Sequence, residues 1–292
     1  NNIDWSERLE EAGCTILYGF EGYKVHSKIC LITRRDHGNI RYLTQIGTGN
    51  YNEKTAAMYT DLSLMTCDQA IGKDANEFFK NMMIGNLQGQ YDHLLVAPVS
   101  LKSTLLKLMD EEIAKGEKGR MIFKLNSVTD LDLMEKLRDA SKAGVQITMI
   151  VRGICCILPG IPGETENLHI RSIVGRYLEH SRIYCFGTGS SEKMYIASAD
   201  FMTRNTERRV EVACPIYDPR VKSKIHHILE LCLKDNIRAR TLLPDGSYCH
   251  ISGDSAPLDC QKQLMADALE ESIPVEGKLT LWQKVKKIFR NP

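Results

Sequence analysis

The stretch Tyr177-Leu-Glu-His180-Ser-Arg182-Ile-Tyr-Cys-Phe186 sets a histidine two residues ahead of an arginine and runs into an apolar strand. Residues two apart in an extended chain project from one face, so His180 and Arg182 point the same way. After a turn over 187–193, a second apolar run ends in Ser198-Ala-Asp200, with Arg204 and Asn205 beyond it. The layout occurs again upstream. Tyr23-Lys-Val-His26-Ser-Lys28-Ile-Cys-Leu31 also places a histidine two residues before a base, then an apolar run. Its return strand ends in Gly47-Thr-Gly-Asn50-Tyr-Asn52, followed by Tyr59-Thr-Asp61. The small-residue cluster begins 21 positions after the histidine in the first copy (26 to 47) and 18 in the second (180 to 198). A lone His-x-Lys is a weak signal, because an exposed strand face produces it equally well. Two copies with matching return strands indicate a duplicated unit.

Outward from these copies, the pattern alternates between helix and strand. The first unit reads as a helix over 4–12, a strand over 14–18, the His26 strand, strands over 40–46 and 62–66, and a helix over 73–83. A polar connector over 85–92 follows. The second unit opens with a strand over 94–96 and a helix capped by Ser100 or Ser103, carrying Leu101, Leu105, Leu108, Met109 and Ile113 at helical spacing. A strand over 121–125 precedes a helix through Leu131, Met134, Leu137 and Ala140, which Gly144 ends. A buried strand over 145–151 completes a β-α-β-α-β alternation, the mark of a mostly parallel sheet with helices on its faces. The loop over 153–167 is long enough to suggest a functional role. Strands over 169–173, 182–186, 194–198 and 210–215 follow, then a helix over 221–233. Residues 253–275 read as loosely ordered. The expectation is an α/β protein of two related domains, 1–93 and 94–262, with mixed, mostly parallel sheets, and a tail over 263–292.

Within that tail, Leu281, Trp282, Val285, Ile288 and Phe289 share a helical face ringed by Lys278, Lys284, Lys286, Lys287 and Arg290. Such a helix suits docking on a domain or partner, and it also suits peripheral contact with an anionic membrane. No run of about 18 apolar residues marks a transmembrane helix. The N-terminus lacks a signal-peptide pattern. The chain begins at Asn1 and enters a helix directly, which reads as a fragment or processed chain. Its ten cysteines follow no metal-ligand or disulfide spacing and point to reduced thiols in a cytoplasmic protein. A net charge of +1 gives no global basic field for nucleic acid. Local clusters do exist, at Arg34, Arg35 and Arg41 and at Arg204, Arg208 and Arg209. These are solvated faces or anion sites.

The two-motif spacing resembles the phospholipase D superfamily, in which two such motifs meet across a pseudo-twofold axis and one histidine becomes phosphorylated. The superfamily's phosphodiesterases usually carry an Asp where this chain has Thr33. The wording is closer to another branch. Lys24-Val-His-Ser-Lys-Ile29, Ile46-Gly-Thr-Gly-Asn-Tyr-Asn52, Tyr59-Thr-Asp-Leu62, Val151-Arg-Gly-Ile-Cys-Cys156, Arg176-Tyr-Leu-Glu-His-Ser-Arg-Ile183 and Ser198-Ala-Asp-Phe-Met-Thr-Arg-Asn205 resemble bacterial polyphosphate kinase. The resemblance runs over residues 1–250 and covers that family's two C-terminal catalytic domains. It implies ATP, ADP and inorganic polyphosphate as substrates, Mg²⁺ arriving with ATP, and self-association.

No P-loop is present, so ATP use needs another route. A neutral imidazole is a competent nucleophile near pH 7, and attack on the γ-phosphorus leaves a phosphoramidate and ADP. The resemblance implies that His26 is the phosphorylated residue and that His180 assists as acid or base. A phosphoryl transition state spreads negative charge and needs fixed cations. Lys28 and Arg182 point the same way as their histidines, Arg152 ends a buried strand, and Arg204 and Arg209 follow the second return strand. The resemblance further implies that Tyr59, Asp61, Arg152, Arg209 and Glu211 contact nucleotide or phosphate, with Asn50 in the first small-residue cluster. Ordinary roles are open to each. Arg152 could cap a strand, Tyr59 could be core, and Glu211 could pair with Arg208 or Arg209. No protein-only metal cage is visible. A phosphodiesterase using the same two histidines, and a non-catalytic phosphate-binding fragment, stand as rival functions.

Overall fold

The structure, a computed structural model, describes residues 2–251 and 256–272. Helix α1 (Asn2–Glu11) precedes a two-residue strand, β1 (Lys24–Val25). Strands β2 (Ile29–Asp36) and β3 (Asn39–Gly47) form a hairpin; after α2 (Glu53–Ala56) and β4 (Tyr59–Thr60), β5 (Ser63–Thr66) joins it in an antiparallel sheet of order β2-β3-β5. Helix α3 (Gln69–Met83) starts where the Asp68 carboxylate accepts the Ala70 and Ile71 amides, and it buries Ile71, Ala75, Phe78 and Met82 along one stripe.

The second unit comprises β6 (Leu95–Ala97), α4 (Leu101–Ile113), β7 (Arg120–Leu125), α5 (Leu131–Lys142), β8 (Gln146–Val151) and β9 (Leu168–Ile173). It continues with β10 (Leu178–Glu179), β11 (Arg182–Phe186), β12 (Lys193–Ala197), α6 (Thr203–Glu207), β13 (Arg209–Pro215) and α7 (Pro219–Lys234). Strands β14 (Ala239–Leu242) and β15 (Tyr248–His250) and helix α8 (Cys260–Ser272) close the described chain. The large sheet runs β1-β13-β12-β11-β7-β8-β9-β14-β15, with β6 also on β13. Strands β7, β8 and β9 are parallel, as the alternation predicts. The β7–β11, β11–β12 and β12–β13 pairings are antiparallel, so the sheet is mixed.

Both faces of this sheet are covered, which is why its central strands read as continuous apolar runs. Alternate residues of β11 serve different cores. Tyr184 and Phe186 pack with Phe123, Phe201 and the α4 and α5 side chains. Ile183 and Cys185 pack with Val212, Phe78 and Leu229. Phe123 is wholly buried, and truncating it to alanine costs about 3–5 kcal/mol.

Four expectations change. Residues 14–18 form no strand. His26, Ser27 and Lys28 lie between β1 and β2 rather than within a strand, because the chain there crosses from one sheet to the other. Strands β14 and β15 were not anticipated; both are short and rich in polar and charged residues. Residues 260–272 are helical where loose order was expected, and α8 crosses the expected boundary at 262. The predicted amphipathic helix over 278–290 lies outside the described residues. All ten cysteines are free thiols, and no described helix is long and apolar enough to cross a membrane.

The two units exchange strands. β1 of the first pairs in parallel with β13 of the second, Lys24 opposite Arg209 and Val25 opposite Val210. β10 of the second pairs in parallel with β4 of the first, Leu178 opposite Tyr59 and Glu179 opposite Thr60. The residues after each ladder are the two motif histidines.

Candidate active site

Backbone pairing fixes both histidines in the same way. The His26 and Ser27 amides donate to the Val210 carbonyl at 2.9 and 3.0 Å. The His180 and Ser181 amides donate to the Thr60 carbonyl at 3.2 and 2.9 Å. Val210 and Thr60 each precede a carboxylate, so each histidine is delivered to an acid of the opposite unit. His26 Nδ1 lies 2.9 Å from both oxygens of Glu211. His180 Nδ1 lies 2.8 and 3.0 Å from the oxygens of Asp61. With Nδ1–H donated to a carboxylate, a neutral ring keeps its lone pair on Nε2.

Each carboxylate has the same supporting hydroxyl, 13 residues before it. Thr48 Oγ1 donates to Asp61 at 2.6 Å and accepts the Leu62 amide, while the Thr48 amide donates to the Leu62 carbonyl. Ser198 Oγ donates to Glu211 and accepts the Val212 amide, while the Ser198 amide donates to the Val212 carbonyl. Thr48 and Ser198 sit at the ends of the two return strands, where the small-residue clusters begin. Gly49 is required beside Thr48, since a Cβ there would overlap the Asp61 carboxylate.

The bases differ. Lys28 is buried, its Nζ donating to the His26 carbonyl. Burial pulls its pKa down to about 8, against opposing pulls from Glu211 and Asp61 and with help from Arg182 and Arg209. Lys28 therefore feels both halves at once. Arg182 is bound on several sides: to both Asp200 oxygens at 3.3 and 3.0 Å, to the Thr48 carbonyl at 3.3 Å, and to His180 Nε2 at 3.1 Å. Burial works against the Asp200 carboxylate, but Arg182 and the Asn126 hydrogen bonds outweigh it and hold its pKa below the ordinary range. Burial lowers the His180 pKa, and Arg182 and Arg152 lower it further against Asp61, so the ring is neutral at pH 7.

A further shell surrounds His180. Its ring lies 4.9 Å from that of Tyr59. Asn126 donates to the His180 carbonyl at 3.1 Å and to Asp200 at 3.2 Å, and it accepts Arg152 Nε at 2.5 Å. Glu179, next to His180, pairs with the buried Lys124 at 2.9 Å. Gln261 of α8 donates to Glu179 at 2.6 Å and to the Tyr177 carbonyl at 2.9 Å, and accepts the Tyr177 amide at 3.0 Å.

The sequence-predicted residues His26, Lys28, Tyr59, Asp61, Arg152, His180, Arg182, Arg209 and Glu211 therefore converge. Arg209 approaches Glu211 at 3.8 Å, so that expected pair exists alongside the His26 contact. Asn50 and Arg204 are exposed and, among the described residues, form no side-chain hydrogen bond or ion pair to this cluster. Thr48, Asn126, Lys124, Glu179, Ser198, Asp200 and Gln261 were not singled out; the signal that could have found Thr48 and Ser198 is their place in the two small-residue clusters, each 13 residues before a carboxylate. Among the described residues no group of three metal-ligating side chains occurs.

Known proteins are similar to this chain in sequence and fold. Residues 1–88 match the family described as polyphosphate kinase C-terminal domain 1, and 94–262 match polyphosphate kinase C-terminal domain 2. The Bacillus cereus polyphosphate kinase is 44% identical over 276 residues, which cover 93% of this chain and 39% of that protein. Polyphosphate kinase 1 of Chlorobaculum tepidum is 39% identical over 287 residues, 96% of this chain and 41% of that one. The chain thus spans about two fifths of the length of these relatives. The crystal structure of the Porphyromonas gingivalis polyphosphate kinase superposes with a TM-score of 0.85 at 36% identity, covering 92% of this chain and 42% of that one. The Haemophilus influenzae phosphatidylserine synthase, at 11% identity and TM-score 0.51 over 86% of this chain and 70% of its own, shares the fold alone. With both domain families matched in order, and the fold shared along nearly the whole chain, this protein belongs to the polyphosphate kinase family.

Proposed function

We propose that this chain is the catalytic portion of an ATP:polyphosphate phosphotransferase that works through a phosphohistidine at His26. The observation that carries the proposal is the crossed pairing of two histidines with two carboxylates. It orients two imidazoles at one site and gives them unequal surroundings. His26 Nδ1–H donates to Glu211, and no described residue hydrogen-bonds its Nε2, so that lone pair is available to attack phosphorus. His180 Nε2 faces the Arg182 guanidinium at 3.1 Å instead. That arrangement suits an imidazole that is neutral at rest, takes a proton from the attacking oxygen at Nε2 and, once protonated, can give it to a leaving oxygen.

The balance of the step is simple. His26 Nε2 bonds to the γ-phosphorus as the bond from phosphorus to the bridging oxygen breaks, releasing ADP. A terminal polyphosphate oxygen then attacks the same phosphorus, breaking the P–N bond, lengthening the chain by one unit and returning neutral His26. Both steps run in reverse. Lys28, Arg182, Arg209 and Arg152 supply fixed positive charge for the equatorial oxygens, in a buried setting where it counts for more than in water. Glu211 stabilises the positive charge that builds on His26 as Nε2 forms its bond. Mg²⁺ fits this site as a companion of the substrate phosphates, which it neutralises when bound. Glu211 and Asp61 are committed to the histidines, Asp200 to Arg182 and Glu179 to Lys124, which leaves Lys28, Arg152, Arg182 and Arg209 as the charges for the phosphates.

The test is labelling with [γ-³²P]ATP in a protein of the full family length. The wild type is expected to acquire an acid-labile, base-stable label that His26→Ala abolishes. Label retained by that variant overturns the assignment, and alcohol release from a phosphodiester without ATP would replace the kinase with a phosphodiesterase.

A further inference from the structure

The parallel pairing of β7 with β8 ends at Leu125 opposite Val151, and the residues that follow are Asn126 and Arg152. The two chains stay close beyond the ladder. The Gly153 amide donates to the Asn126 carbonyl at 2.9 Å, and a Cβ on Gly153 would lie 2.8 Å from that oxygen, so glycine permits the approach. Asn126 is buried, and both polar atoms of its side chain are engaged. Nδ2 donates to the His180 carbonyl at 3.1 Å and to Asp200 Oδ1 at 3.2 Å, while Oδ1 accepts Arg152 Nε at 2.5 Å. The amide can face only one way. Turned over, it would set its NH₂ against a guanidinium N–H and its oxygen against a carbonyl and a carboxylate. The three partners differ in what else holds them. His180 keeps its amide bond to the Thr60 carbonyl and its ring contact with Asp61. Asp200 keeps Arg182, the Asn205 side chain and the Asn126 backbone amide. Among the described residues, the Asn126 contact is the one hydrogen bond or ion pair of the Arg152 side chain.

We propose that Asn126 is a positioning residue for phosphate binding, which aims the Arg152 guanidinium at the substrate without neutralising it. The inference rests on the polyphosphate kinase reading, in which Arg152 is one of the fixed charges. Arg152 lines a cavity of about 610 Å³ together with Tyr59, whose ring lies 4.9 Å from that of His180. Held at Nε alone, the guanidinium keeps both Nη groups for phosphate oxygens, which it can bind in bidentate fashion. A carboxylate in place of the amide would accept the same Nε–H, but it would pair off the charge that the phosphates need. Arg182 is held in that other way, with Asp200 accepting from its Nε and Nη2. The second half of the site thus carries one arginine tied by a carboxylate and one tied by a neutral amide. Arg152 is the freer charge.

The experiment is a double-mutant cycle between Asn126 and Arg152 in a protein of the full family length. It reads the Kd for ATP by calorimetry and kcat with polyphosphate as acceptor, and circular dichroism checks the fold of each variant. Asn126→Ala is expected to raise the Kd about tenfold, the scale of one charge-assisted hydrogen bond, while kcat at saturating ATP falls by a smaller factor. In an Arg152→Ala background the same substitution should raise the Kd less than about twofold, because the group it positions is gone. Asn126→Asp opens no cavity; it keeps the Nε contact but pairs the charge, and it should also weaken ATP binding. Additive losses in the cycle, a fall in kcat larger than the rise in Kd, or wild-type affinity in Asn126→Asp would each overturn the assignment. Failure of the kinase reading is a separate result, seen as no ATP-dependent labelling of His26 in the full-length wild type.

Discussion

The two halves of the site share one wiring and differ in what they do with it. In each, a histidine follows a two-residue parallel ladder, bonds through Nδ1 to the other unit's carboxylate, and relies on a hydroxyl 13 residues before that carboxylate. The differences lie around this frame. Glu211 is wholly buried, whereas the Asp61 side chain is 23% exposed. Lys28 is a single point charge, whereas Arg182 is spread over Asp200, Thr48 and His180. Asp200 anchors Arg182 two residues beyond Ser198, while its counterpart two residues beyond Thr48 is the exposed Asn50. Duplication thus produced two oriented imidazoles, and divergence around them left one Nε2 open and set the other against a guanidinium.

The largest expected effect comes from removing the imidazoles in turn. His26→Ala should reduce phosphotransfer to background, while His180→Ala should lower kcat by about 10²–10⁴-fold and still permit slow labelling of His26. Equal and complete losses would erase the difference between the halves. Next come the crossed carboxylates. Glu211→Gln should cost about 10²–10³-fold in kcat/KM, since it removes the charge facing the imidazolium-like transition state. Asp61→Asn should cost about tenfold, because Tyr59, Arg182 and Asn126 also hold the His180 segment. A reversed order would assign the nucleophile to the wrong half.

Much of this pairing was legible in the sequence, and the reason is local. Histidine and base lie two residues apart, and each return strand ends in small residues, so both half-motifs appear in short windows. The partners do not. His26 finds Glu211 185 residues away and His180 finds Asp61 119 residues away. Only the strand exchange reveals that Glu211 serves His26 as well as lying near Arg209. Asp200 and Asn126 work through a buried network with no periodic signature. Helix α8 was missed because its sequence carries little apolar patterning; it is held by Gln261 and a few contacts rather than by a broad stripe. Strands β14 and β15 escaped notice for a related reason, being short and at the sheet edge.

Two smaller effects sharpen the contrast. Lys28 is cationic below about pH 8, so kcat/KM should fall as pH rises through that value, and Lys28→Met should lower activity and remove this alkaline limb. The native state sheds this proton before the unfolded chain does, so Lys28 makes wild-type stability rise with pH between about 8 and 10.5. Thermal melts of wild type and Lys28→Met across that window would show whether the difference between them narrows, as expected. Gln261→Ala, which strips a buried acceptor and donor from the Tyr177–Glu179 segment, should destabilise by about 1–3 kcal/mol and weaken kcat severalfold. If Gln261→Ala lowers stability without changing kcat, α8 supports the fold and not the His180 half.

The most direct test of the open-Nε2 assignment is to locate the phosphoryl group atom by atom. Phosphohistidine formed from ATP should map by peptide mass spectrometry to His26, and ³¹P nuclear magnetic resonance of the denatured protein should report the Nε2 isomer, in the wild type and in His180→Ala alike. An Nδ1 phosphoramidate, or a label on His180, would contradict an account in which Glu211 holds Nδ1 and leaves Nε2 to attack.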